Sequence, residues 1–140
     1  MRVIESVADM QRSADAMRSE GLRIAFVPTM GALHEGHLDL VRLATTLCDR
    51  VVVSVFVNPS QFGKNEDLSR YPRDLERDKD LASGAGCDIL FVPAADDMYP
   101  DGACTWVLVD TLGTVLEGAF RPTHFRGVTT VVMSLFNIVK

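Results

Sequence analysis

Two of the chain's three histidines, His34 and His37, stand three residues apart in VPTMGALHEGHLDLV, residues 27–41. Three chemistries use such a pair. The first is metal ligation, since histidines at i and i+3 can share a helix face. A zinc site needs at least a third protein ligand. The only other histidine is His124, and Cys48, Cys87 and Cys104 lie far apart with no CxxC. HEGH also lacks the HExxH spacing of a zinc protease. The second is plain helix capping, with incidental imidazoles. The third is anion handling. A helix start presents unpaired N–H groups and a partial positive charge. Gly31 and Gly36 let the backbone approach a ligand closely, and two imidazoles add donors that gain charge when an anion arrives. The stretch has neither GxxxxGK[ST] nor GxGxxG, so an anion site here has its own pattern.

A second group of polar residues stands further on. Gln61 follows VVVSVFVN, and its amide offers two donors and an acceptor without adding charge. Such a group can hold a hydroxyl and a carboxylate. Asn58 either orients the same pocket or makes the turn before Pro59. Arg121, His124 and Arg126 crowd one turn, where His124 either meets a ligand or caps the last helix. Val131 and Val132 supply either an apolar pocket wall or ordinary core.

The elements that must position these residues can be read from periodicity. Ser6 caps a first helix to about Glu20, with Val7, Met10, Ala14 and Met17 at helical spacing and Gly21 as its stop. RIAFVP reads as a strand. His37 to about Cys48 reads as a helix. RVVVSVFVN is apolar on both alternating faces, the pattern of a strand covered on both sides. A helix is expected from about Pro72 to Ser83, a third strand in CDILFVP, turn chemistry in DDMYPDG, and a further edge strand in CTWVLVD. TLGTVLEG has no clear assignment. From about His124 the chain is helical, with Val128, Val131, Val132, Leu135, Phe136 and Val139 on one face. Strands alternating with helices predict an α/β fold: a Rossmann-like, doubly wound parallel sheet with helices on both faces. In such a sheet ligands sit at the carboxyl ends of strands, where both polar groups fall. Eleven of the 17 residues from Lys64 to Asp80 are charged, five basic and six acidic. Mixed signs predict a solvated helix face and loop; a mobile lid is the sharper alternative.

Composition narrows the classes. The chain has 140 residues, 47% hydrophobic and 24% charged, with net charge −5. That is enough for one domain with a real core. The negative balance argues against a nucleic-acid partner. No apolar run approaches the roughly 18 residues of a membrane span. The N-terminal residues carry acids where an export signal needs an apolar stretch. Three unspaced cysteines read as free thiols in a reducing, cytoplasmic compartment.

HEGH resembles the HIGH signature of the nucleotidyl-transferring α/β superfamily. VPTMGALHEGHLDLV, VSVFVNPSQFG, YPRDLERD and LEGAFRPTHFRGVTTVV together resemble one of its families, the pantothenate synthetases (pantoate–β-alanine ligases), in order and spacing. The resemblance covers nearly the whole chain. It implies a two-step reaction in which ATP, with Mg²⁺, and pantoate give pantoyl adenylate, and β-alanine then gives pantothenate and AMP. By the family pattern Met30, Gly31, Ala32, Leu33, His34, Glu35, Gly36 and His37 line the ATP site. His34 and His37 contact phosphate as the catalytic pair, and the family usually assigns His37 as proton donor; a charge-stabilising role for both fits the chemistry better, since proton transfer is not the difficult part of adenylation. Gln61, Asn58, Met30, Val131 and Val132 bind pantoate or β-alanine. No protein metal ligand is identifiable, since phosphates and water supply most of a Mg²⁺ shell; the resemblance implies a homodimer.

Family members continue for about as long again, with a further lysine, a second glutamine and a C-terminal domain. The expectation is therefore that residues 1–140 form an incomplete nucleotide-binding domain. It should hold one wall of the cleft, turn over poorly alone, and leave the last helix's apolar face short of cover. Two other readings stand beside the ligase. One is another adenylyltransferase of the superfamily. The other is a non-catalytic nucleotide- or anion-binding fragment.

Overall fold

The computed structural model describes residues 1–63 and 68–140. Four parallel strands form one sheet in the order β1-β4-β3-β2: β1 Arg2–Ile4, β2 Ile24–Thr29, β3 Arg50–Val55 and β4 Ile89–Phe91. All three pairings are parallel, with Val27 opposite Val53 and Val53 opposite Leu90. Among the described residues six α-helices accompany it: α1 Val7–Ser19, α2 Glu35–Leu47, α3 Leu75–Gly84, α4 Ala95–Met98, α5 Glu117–Phe120 and α6 His124–Val139.

The doubly wound expectation holds, and β3 shows why. Val51 and Val53 face a core made with α2 and α3, through Leu38, Val41, Ala44 and Ala82. Val52 faces the opposite core with α1 and α6, through Met10, Ala14, Val131 and Leu135. Each such valine, fully buried, contributes roughly 1.5–3 kcal/mol. Only a strand apolar on both faces can sit between two helix layers. The last helix is better covered than expected. Leu135, Ile138 and Val139 are buried, while Met133 and Phe136 stay exposed.

Several details differ from the expectation. β1 was not foreseen. α2 begins at Glu35, so His37 lies inside its first turn, and α3 begins at Leu75 with Asp74 as its cap rather than at Pro72. CTWVLVD does not become a strand. It lies along α6, where the Thr130 hydroxyl accepts from the Val107 N–H at 3.0 Å and the Thr129 hydroxyl donates to the Val107 carbonyl at 2.6 Å. Those threonines satisfy backbone groups that a neighbouring strand would otherwise take. DDMYPDG opens inside the short α4, which takes its first three residues, rather than forming only turns. Within the charged stretch, residues 64–67 lie outside the described residues. The rest forms a 3-10 turn, Leu68–Arg70, and then α3. No described helix is long and apolar enough to cross a membrane, and the three cysteines are free.

Candidate active site

β2 ends at Thr29, and the chain must reverse into α2 within five residues. Gly31 makes this possible at φ +82°; a Cβ there would lie 2.9 Å from Asp78 Oδ2 and 3.0 Å from Val55 Cγ1. Ala32 follows at φ +52°, a conformation that costs a non-glycine residue about 1 kcal/mol or more. The turn is stitched on both sides. The Gly31 N–H donates to Thr29 Oγ1 at 3.1 Å, and the Thr29 hydroxyl donates to the Ser54 carbonyl at 2.7 Å. On the other side the Ala32 and Leu33 N–H groups donate to Asp78.

The turn delivers His34 to the N-cap position of α2, with extended backbone, but its side chain makes no cap bond. Capping is therefore not what this imidazole does. The His34 and His37 rings stack at 4.1 Å between centroids. His37 Nδ1 is buried and has no hydrogen-bond partner among the described residues. Burial, then the neighbouring His34, pulls the His37 ring below its ordinary 6.5, and Asp78 draws it partly back up. A buried ring nitrogen without a partner, at a helix start, is a group prepared for a ligand.

Gln61 sits in a 3-10 turn, Pro59–Gln61, just past β3. Asn58 fixes it. The Asn58 Oδ1 accepts from the Ser60 N–H at 3.2 Å and the Tyr99 hydroxyl at 2.9 Å. Its Nδ2 donates to the Gly127 carbonyl and to Gln61 Oε1, both at 3.1 Å. A backbone donor on one side and a backbone carbonyl on the other leave one orientation for the Asn58 amide. Gln61 Oε1 is then the acceptor, and its NH₂ is turned to Met30 Sδ at 2.8 Å. Sulfur is a weak acceptor, so a ligand oxygen competes for that donor easily. At 1% exposure Asn58 is spent on this scaffold.

His37, Gln61, Met30 and Gly31 meet in one cleft of about 270 Å³ with Val131, Val132 and Tyr71. The structure thus gathers most of the predicted residues. It does not gather all of them. Leu33, 1% exposed, is core beneath α2, and the N–H groups of Ala32 and Leu33 are taken. Glu35 pairs with Arg42 at 3.0 Å on the outer face of α2. His34, Glu35 and Gly36 form an exposed shelf beside the cleft. His124 does not line the cleft; its Nδ1 meets the Gln61 carbonyl at 3.0 Å, and Arg121 donates to the same carbonyl at 3.3 Å. Arg126 lies over the Trp106 ring at 4.4 Å.

Reading the sequence did not single out Tyr71, Asp78 or Tyr99. The first two lie in YPRDLERD, whose individual side chains carry no mark of burial. Burial raises the Tyr71 hydroxyl above its ordinary 10.0, with Asp78 adding to it. Burial does the same to Tyr99, against its bonds to Ser60 and Asn58. Among the described residues no three His, Cys, Asp or Glu side chains gather as a metal cage. A larger open groove of about 800 Å³ runs beside β1, between Arg2, Asp9 and Lys79, and none of the predicted residues lines it.

A parallel α/β sheet with a glycine turn, a paired-histidine helix start and an amide-lined cleft at its strand ends defines a Rossmann-like domain in form. The chain belongs to the pantoate-beta-alanine ligase family, whose profile matches residues 2–140. It is 57% identical over 140 residues to the pantothenate synthetase of Moorella thermoacetica, covering all of this chain and 50% of that protein. Over 139 residues it is 59% identical to that of Geobacter sulfurreducens, covering 99% and 49%. The crystal structure of pantothenate synthetase from Thermus thermophilus superposes with a TM-score of 0.91 at 49% identity, over 99% of this chain and 49% of that one. The pantoate-beta-alanine ligase from Francisella tularensis, complexed with beta-gamma ATP and beta-alanine, superposes at 0.92 and 37% identity, over 99% and 53%. The chain spans about half the length of the curated relatives it matches.

Proposed function

We propose that these residues form the nucleotide- and pantoate-binding part of an ATP-dependent pantoate–β-alanine ligase. One observation carries the reading. His37, with its unpartnered buried nitrogen, and Gln61, with its NH₂ turned inward, share a single cleft walled by Val131 and Val132. That pairing suits a ligand with an anionic end, hydrogen-bond acceptors and a branched apolar body. Pantoate beside the α-phosphate of ATP has all three. The relative crystallised with beta-gamma ATP and beta-alanine supports the same substrates.

In the first step the pantoate carboxylate attacks the α-phosphorus, and the bond to pyrophosphate breaks. Negative charge grows on phosphate oxygens, so fixed donors supply most of the stabilisation. His34 and His37 would serve there as charge stabilisers, beside the helix-start N–H groups of the shelf. Gln61 would hold the pantoate oxygens. In the second step the β-alanine amine attacks the acyl carbon, AMP leaves, and the amine loses a proton. Mg²⁺ would enter as MgATP. The described residues gather no cage of three His, Cys, Asp or Glu side chains, and an ion that enters with the nucleotide is held mainly by phosphate and water. A cytoplasmic homodimer completes the proposal. Exposed Leu112, Leu116 and Phe120 are compatible with a buried contact.

Calorimetry of the chain with ATP and with pantoate, separately, tests the binding half. Pantoate-dependent exchange of pyrophosphate into ATP, by a polypeptide that carries this sequence with its relatives' remaining length, tests the chemistry. ATP exchange driven by another carboxylic acid, and not by pantoate, would make it a different adenylyltransferase. Pantoate binding without exchange in that longer polypeptide would leave a binding module.

A further inference from the structure

Asp78 is 1% exposed, on the first turn of α3 beyond the Asp74 cap. Among the described residues it is the only buried carboxylate. Its Oδ2 accepts from the Ala32 N–H at 2.9 Å and its Oδ1 from the Leu33 N–H at 2.7 Å, across 46 and 45 residues of sequence. Burying a carboxylate is costly unless it is bonded, and here two backbone donors converge on it. They come from a segment that holds a non-glycine residue, Ala32, at positive φ, and that conformation persists only where the surroundings impose it. Gly31 has no Cβ where the carboxylate passes. Nothing in the adenylation chemistry requires an anion behind a phosphate site. By charge alone Asp78 opposes the binding of one.

We propose that Asp78 is a positioning residue: its carboxylate, by accepting from both Ala32 and Leu33, clamps the turn that sets Met30, His34 and His37 in their places at the cleft. The proposal rests on the ligase reading for what binds there, but the clamp itself is a separate claim. A carboxylate suits the task as an amide does not. Asn offers one acceptor oxygen, and its NH₂ would face the second backbone N–H. The role acts through the turn, since both Asp78 oxygens accept from its backbone.

The charge gives the test a sign. If Asp78 were only a charge near the site, neutralising it would tighten anion binding. If it is a clamp, neutralising it loosens binding because the donors lose their register. Asp78→Asn is therefore compared with the wild-type chain by amide hydrogen exchange and by calorimetry with ATP, using inorganic tripolyphosphate as a second probe. The expected result in the variant is loss of exchange protection at Ala32 and Leu33 by tenfold or more, together with at least tenfold weaker binding of both probes. Protection retained, or affinity unchanged or tighter, overturns the proposal. If Asp78→Asn does not fold, the wild type and Asp78→Glu decide. Ala32 and Leu33 amides that exchange as freely as exposed loop in the wild type, or a folded Glu variant with full affinity and no protection at those amides, overturn it. Wild-type chain that protects both amides but binds neither probe counts against the ligase reading and leaves the clamp standing.

Discussion

The imidazoles of His34 and His37 lie 4.1 Å apart between centroids, tilted by 34°. Burial, and then the neighbouring His34 ring, disfavours charge on His37. The folded state therefore prefers neutral His37, while the unfolded chain protonates it near 6.5. Between the depressed folded value and 6.5 the unfolded state binds more protons, so stability rises with pH through that window and falls on acidification. Urea midpoints measured on either side of 6.5 should show this slope, and His37→Gln should flatten it. An unchanged slope in that variant would assign the dependence to other groups.

Gln61 makes the second prediction, through the direction of its amide. With Asn58 fixing Oε1 as acceptor, Gln61→Glu keeps that bond and replaces only the inward donor by an acceptor. In a polypeptide with the relatives' full length, Gln61→Glu and Gln61→Ala should each lower kcat/KM for pantoate by about a hundredfold. The KM for ATP should change far less. Equal losses for both substrates would mean that Gln61 shapes the whole site rather than one subsite.

The third concerns the floor beneath Gln61. A Cβ at Gly127 would lie 2.4 Å from the Ser60 carbonyl oxygen and 2.7 Å from Gln61 Cα. Gly→Ala inside a helix ordinarily gains about 1 kcal/mol. Here overlap with backbone should outweigh that gain, for a net loss of about 1–3 kcal/mol, and α6 should move off the Gln61 turn. Gly127→Ala should lower the urea midpoint and weaken pantoate binding together. A stabilised variant would show that the two backbones are not in that close contact.

Much of this was legible in the residues themselves. A strand such as RVVVSVFVN has only one comfortable environment, between two helix layers, so the sheet and its helices follow from it. HEGH and NPSQF both fall just past strands, which put them at the same end of the sheet. The failures have physical causes. CTWVLVD alternates like a strand, but alternation cannot reveal that Thr129 and Thr130, on a helix more than 20 residues away, take its backbone bonds. Arg2–Ile4 is too short, and too exposed at Arg2 and Val3, to announce a strand. Asp78 stood among six acids of one charged stretch. Which of them is buried depends on Ala32 and Leu33, and local spacing carries no information about partners 45 residues distant.

The last prediction joins the histidine pair to the nucleotide. An anion arriving at the helix start lies beside His37 and raises the affinity of its ring for a proton, from a starting value held below 6.5. The bound state then carries more protons than the free state. ATP binding should take up protons, and its affinity should strengthen as pH falls through 6.5 toward the depressed value. Calorimetry at one pH in two buffers of different ionisation enthalpy measures the uptake directly. Expected is a fraction of one proton per ATP near the ordinary value of 6.5. It should be largely lost in His37→Gln while His124→Gln retains it, because His124 is engaged with the Gln61 carbonyl outside the cleft. Uptake that survives His37→Gln, or proton release in the wild type, would remove His37 from the phosphate contact and leave the helix-start N–H groups as the chief donors.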